Sequence, residues 1–141
     1  MPQPRDDRRP RLVRDPRAWL APYVVALALI AFWPSHVDEG MGPFLRALTR
    51  ALPVLTYARV EFAANIALFV PLGVLPMMIL RRRYLIVPIA LVATVTIEAV
   101  QSLMGGQRTS SVLDVIANLT GACVGMLVVA LVEWWRARSA G

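Results

Sequence analysis

From Tyr84 to Met104 the chain carries a single charge, Glu98. A run this long and this apolar can cross a bilayer as a helix, which needs about 20 residues. Two further runs are like it, about Phe62–Leu80 and about Val112–Trp135. Their apolar residues come in blocks rather than at the amphipathic period of a water-soluble helix. A fourth run, about Ala18–Trp33, is shorter. It is bracketed by Trp19 and by Phe32 and Trp33, as interfacial aromatic belts are. Because hydrocarbon offers the backbone no hydrogen bonds, only helices and closed barrels span it. The reading is therefore all-α: a membrane protein built as an antiparallel bundle of four transmembrane helices.

The segments between the spans read differently. Residues 1–17 are rich in Pro, Arg and Asp and are expected to form a disordered or interfacial arm. Ala26-Leu27-Ala28 has the look of a signal-peptide cleavage site. The apolar run continues past it, so the segment is read as a span. Within the 34–60 connector, Phe44, Leu48 and Leu52 share one helical face and Arg46 and Arg50 the other, with Pro43 suited to a first turn. That pattern fits a short interfacial helix in the first extracytoplasmic loop, or a connector helix packed on the bundle.

The net charge of +6 would suggest nucleic acid in a soluble protein. Here the basic residues, all fifteen of them Arg, flank apolar blocks. They are read as topology signals and contacts to anionic lipid, with no nucleic-acid partner. Eleven arginines fall in the arm, the Arg81-Arg82-Arg83 turn and the C-terminus; Arg46, Arg50, Arg59 and Arg108 fall on the other side. The positive-inside rule then places both termini in the cytoplasm. There is no Walker loop, nucleophile elbow or Cys/His cluster. His36 stands alone in a polar loop, so no metal or cofactor is expected. The lone Cys123 cannot form an intrachain disulfide and is read as a small packing residue.

The remaining polar residues gather at matching helix ends. Glu61 and Asn65 stand i, i+4 near the start of the second span. Glu98 and Gln101 stand i, i+3 near the end of the third, with Thr94 one turn deeper. Asp114 and Asn118 stand i, i+4 at the start of the fourth. Each pair shares a helix face, and no such cluster is expected at the cytoplasmic ends. A carboxylate in hydrocarbon is costly and is kept when paired or functional. Glu98 is thus either a structural acid, protonated or paired with Arg108 from the 105–111 loop, or part of a proton, cation or headgroup site. Asp114 follows Ser111 at capping-box spacing and can be a cap, a site residue or both. Asn118 lies too deep to be a cap. Gly121 and Gly125 form a small-xxx-small pair for close helix packing. Pro71 should kink the second span, and Pro76 and Pro88 should break regular helix near the cytoplasmic side.

Asn65-Ile-Ala-Leu-Phe69-Val-Pro71-Leu-Gly73, Ile97-Glu98-Ala-Val-Gln101, Arg108, and Asp114-Val-Ile-Ala-Asn118-Leu-Thr-Gly121-Ala-Cys-Val-Gly125 occur in order. Over residues 60–130 this pattern resembles the VanZ-like family. The resemblance marks Asn65, Glu98, Gln101, Arg108, Asp114 and Asn118 as its characteristic polar positions; the position three before Asp114, often acidic in such proteins, is Ser111 here. With the composition read above, the chain divides into a basic disordered cytoplasmic arm (1–17), the first transmembrane helix and connector (18–59), a VanZ-like three-helix core (60–135) and a cytoplasmic tail (136–141). The resemblance implies an integral membrane protein of bacteria. The founding member of the family is associated with resistance to the glycopeptide teicoplanin.

The expectation from sequence is an outward-facing polar site that contacts a lipid headgroup or a lipid-linked cell-wall precursor. Arg108 would hold a phosphate or carboxylate, Glu98 and Asp114 would orient it, and Asn65, Gln101 and Asn118 would complete the lining. The rivals are an intramembrane enzyme with Glu98 or Asp114 as acid/base, and a scaffold whose polar cluster only locks the helices together.

Overall fold

The computed structural model describes residues 15–32, 56–103 and 111–141. They form four helices, α1 (Pro16–Ala31), α2 (Tyr57–Ile79), α3 (Ile86–Leu103) and α4 (Val112–Ser139). A single 3-10 turn, Arg83–Leu85, leads into α3, and no strand occurs among the described residues. The 1–14 arm, the Pro43–Leu52 helix and Arg108 lie outside them.

Local chemistry starts the helices where the sequence suggests. The Asp15 carboxylate accepts from the backbone N–H of Arg17 at 3.0 Å, with Pro16 in the first position of α1. That arrangement meets one of the four N–H groups a helix start leaves open. Ser111 does the same for α4, its hydroxyl accepting from Leu113 N–H at 3.1 Å.

Three helices, spanning Ala58–Ile79, Arg83–Leu103 and Val112–Ser139, are long and apolar enough to cross a membrane. The first of the four expected spans is different. α1 has 16 residues, about 24 Å at 1.5 Å per residue, against about 30 Å of hydrocarbon. The outer surface fits lipid rather than water. Val25 and Leu29 on α1, Val92 and Val95 on α3, and Leu127 and Leu131 on α4 are all exposed, and soluble proteins rarely present apolar faces of this extent. The chain is a multi-pass membrane protein.

The helices alternate in direction. Asn65 near the start of α2 meets Asp114 at the start of α4, and Arg83 before α3 meets Glu133 near the end of α4. α4 packs most extensively on α2 and next on α3, while α1 lies on α2. α2 and α3, though joined by the shortest connection, touch little, because α4 lies against both.

A stripe of Ala117, Asn118, Gly121, Ala122 and Gly125 is the buried face of α4. Helix association in lipid has no hydrophobic drive and rests on close packing, and the two glycines supply it. A Cβ on Gly121 would run into the carbonyl of Ile66, and one on Gly125 into the carbonyl of Val70. Both obstacles are backbone atoms of α2, which cannot swing aside. Gly73 faces them from α2. Below this contact Phe69, Leu72, Leu27, Ala90 and Ala122 form a core drawn from all four helices.

Three expectations need correction. Pro76 does not break α2, which runs unbroken through Pro71 and Pro76 to Ile79. Proline removes a donor and crowds the preceding turn, but in a membrane neighbouring helices can serve the loosened carbonyls. The Tyr23 hydroxyl of α1 donates to the carbonyl of Leu68 at 2.9 Å and ties α1 to this stretch, while the carbonyls that Pro71 and Pro76 leave without a helical donor are those of Ala67 and Leu72. Pro88 sits in the first turn of α3, where its missing N–H has no helical partner to lose. Cys123 is exposed and not part of the packed stripe.

Replacing Gly121 or Gly125 with valine should therefore lower thermal stability in detergent, by the about 1–3 kcal/mol typical of overpacking. Cys123→Ala, one face away, should leave it unchanged. Equal melting temperatures for all three would show that α2 and α4 do not approach through these glycines.

Candidate functional site

The described polar side chains that the sequence singled out sit at the end of the bundle where α2 and α4 begin and α1 and α3 stop. They fall into layers about one helical turn, roughly 5 Å, apart. Gln101 is nearest the end on α3. Glu98 on α3 and Asp114 on α4 follow, then Thr94 and Asn118.

The deepest layer is the most enclosed. Thr94 is fully buried and Asn118 nearly so. Asn118 Nδ2 donates to Thr94 Oγ1 at 2.8 Å, joining α4 to α3. Asn118 Oδ1 is buried and has no hydrogen-bond partner among the described residues. One turn outward, Asn65 Nδ2 donates to Asp114 Oδ1 at 2.8 Å, joining α2 to α4. Asp114 thus serves twice: as an acid in the first turn of α4, where the helix dipole favours it, and as an acceptor for α2. Glu98 is half-buried, with its Oε2 atom buried.

Gln101 has a different surrounding. It is buried, and its Nε2 donates to the backbone carbonyl of Ala31 at 2.7 Å. Ala31 is the last residue of α1, and the last four carbonyls of a helix have no partner within it. Gln101 supplies a donor to one of these carbonyls. The structure therefore brings Asn65 to Asp114, and Asn118 to Thr94, and sets Gln101 on α1. Arg108 lies outside the described residues.

Sequence reasoning noted Thr94 but did not count it among the site residues. The available signal was its register: Thr94 lies four residues before Glu98 and so on the same face. Thr96, two residues on, is exposed and donates to the carbonyl of Val92, four residues back, at 2.7 Å. The two threonines separate cleanly. One faces lipid and is satisfied within its own helix; the other is shared between helices.

The opposite end carries one exposed ion pair among the described residues. Arg83 donates through Nη1 and Nη2 to the two carboxylate oxygens of Glu133, at 2.7 and 2.6 Å. The signal was present in sequence as a glutamate near the end of the last span, but nothing local named its partner 50 residues away.

Among the described residues no group of three His, Cys, Asp or Glu side chains gathers as a metal site. What the cluster offers chemically is a set of amide, hydroxyl and carboxylate groups on three helices, most of them donors already committed and acceptors in excess.

The family model described as VanZ/LLP1 matches residues 20–133. The chain belongs to this family. The match takes in α1 as well as the three long helices, so it reaches beyond the 60–130 stretch over which the motifs were recognised. No curated protein and no solved structure matches the chain.

If the Asn118–Thr94 bond holds α3 to α4, Thr94→Val should destabilise the protein by about 0.6–1.7 kcal/mol, the range for hydrogen bonds between membrane helices. Thr96→Val should be close to neutral. Unfolding titrations in mixed micelles measure both, and equal effects would contradict the division between shared and self-satisfied hydroxyls.

Proposed function

We propose that this VanZ/LLP1-family protein is a binding protein of the bacterial inner membrane, with both termini in the cytoplasm and its polar cluster facing outward. The cluster takes a lipid headgroup or the head of a lipid-linked envelope precursor. The observation that carries this reading is the buried Oδ1 of Asn118, which has no hydrogen-bond partner among the described residues. A buried acceptor without a donor commonly costs about 1–3 kcal/mol, so a protein that needed the cluster only for cohesion would gain by replacing it. A hydroxyl or ammonium of a bound head supplies the missing donor. Glu98 and Asp114 add acceptors and orient the head, Asn65 and Gln101 complete the lining, and Arg108 pairs with its phosphate or carboxylate.

The scaffold reading has its own support. The Asn65–Asp114, Asn118–Thr94 and Gln101–Ala31 bonds each tie a different pair of helices. The two readings differ in what a conservative change does. Glu98→Gln keeps the shape and removes the ionisable group. For a ligand site, the variant should accumulate normally in the membrane and lose the protein's effect on glycopeptide susceptibility, measured as the teicoplanin concentration that inhibits cells expressing the chain. For a scaffold, abundance or melting temperature should fall, since removing a buried polar partner destabilises. Full activity at normal abundance would take Glu98 out of the mechanism.

The orientation rests on the arginine distribution. A reporter active only outside the cytoplasm, fused after Gly141, should stay silent; a strong signal would invert the topology and turn the polar cluster inward.

A further inference from the structure

Away from the polar cluster, the other end of the bundle gathers a second group of chemistry-bearing residues. The described residues there include six arginines, Arg17, Arg81, Arg82, Arg83, Arg136 and Arg138, against two acids, Asp15 and Glu133. Both acids are engaged: Asp15 caps α1, and Glu133 is held by Arg83 through a two-point fork. The fork pins the turn before α3 to the end of α4. It ties the turn that carries Arg81 and Arg82 to the end of α4 that carries Arg136, about one turn beyond Glu133. Arg138 is held as well, its guanidinium 4.1 Å from the centre of the Trp134 ring. Tyr84, Trp134 and Trp135 are exposed around them, the composition of a membrane–water interface.

We propose that this end is a built binding site for an anionic phospholipid headgroup. The lipid phosphate sits among Arg81, Arg82 and Arg136. Trp134 and Trp135 flank its glycerol and upper chain region, and the Arg83–Glu133 fork is the positioning element. A topology signal requires only that positive charge be near the membrane. A site requires that the charges be held together, and the fork is what holds them. Arg83 is the positioning residue, with one N–H of each Nη used by Glu133.

The two accounts make opposite predictions for one substitution. Glu133→Gln adds a net positive charge. Diffuse attraction then strengthens anionic-lipid association, whereas a site that depends on the fork loses preference when the turn before α3 is released. The measurement uses the full chain with Trp19→Phe and Trp33→Phe, so that fluorescence reports on Trp134 and Trp135. It is reconstituted in phosphatidylcholine vesicles containing a minority of brominated phosphatidylglycerol or, in parallel, of brominated phosphatidylcholine. Quenching should give a preference for phosphatidylglycerol of roughly fivefold, as one arginine near a headgroup supplies. Glu133→Gln should reduce it toward equality, and so should Arg81→Gln with Arg82→Gln on the exposed turn. The charge-exchanged pair Arg83→Glu with Glu133→Arg, which rebuilds the fork at unchanged net charge, should restore it. Unchanged or increased preference in Glu133→Gln overturns the proposal. So does equal quenching by both lipids in the parent chain, or displacement of the lipid by inorganic phosphate, which would assign the site to a soluble anion. Should Glu133→Gln fail to reconstitute, Glu133→Asp decides the matter: it keeps the net charge and shortens the reach to Arg83, so a fork-dependent site loses its preference and diffuse attraction does not.

Discussion

The closeness of α2 and α4 is the constraint on which the rest of the bundle depends. Apolar side chains gain nothing by leaving lipid for a lipid-like interior, so these helices are held by contact alone. Gly121 and Gly125 let the carbonyls of Ile66 and Val70 come up against the α4 backbone. That approach brings the starts of α2 and α4 side by side, and so places Asn65 within reach of Asp114. It also leaves α4 as the helix against which α3 packs, which puts Asn118 on Thr94. A side chain at either glycine would widen the α2–α4 spacing and separate the polar residues before it changed any of them.

Polar groups in this chain are distributed by the same scarcity of water. Those facing lipid bond their own helix: Thr96 to Val92, and Thr120 to Ile116. Those turned inward bond a neighbouring helix, and each such bond sits where the backbone or the packing requires one. Gln101 answers a carbonyl in the last turn of α1, and Tyr23 bonds the Leu68 carbonyl of α2. Asn118 Oδ1 fits neither pattern, being buried without a partner among the described residues. The proposed binding role rests on that atom.

The fold was legible because length and hydropathy determine it almost directly. Three runs long enough to span become three helices long enough to span, and Ser111 and Gly121 play the parts their neighbours in sequence imply. What sequence could not supply was pairing. Asp114 reads locally as a cap residue, and only the α2–α4 contact reveals that its carboxylate is used by Asn65. Gln101 reads as a lining residue because it shares a face with Glu98, yet its amide is turned to α1. Pro76 reads as a helix breaker by the rules of water-soluble proteins, but in a membrane an exposed break would leave backbone groups unsatisfied, so the helix continues.

The two ends of the molecule solve opposite problems, and this explains why one was read from sequence and the other was not. At the polar end, single ionisable residues stand in apolar surroundings, so each is conspicuous. At the arginine-rich end, charges are so common that no one of them attracts notice, and Glu133 is an acid among bases where an acid is unremarkable. Its significance lies in geometry: a carboxylate that accepts both branches of a guanidinium holds orientation as well as charge. With α2 and α3 barely touching, the turn between them has little else to position it. The fork to α4 therefore does for the arginine-rich end what the glycines do for the middle of the bundle, tying one element to another.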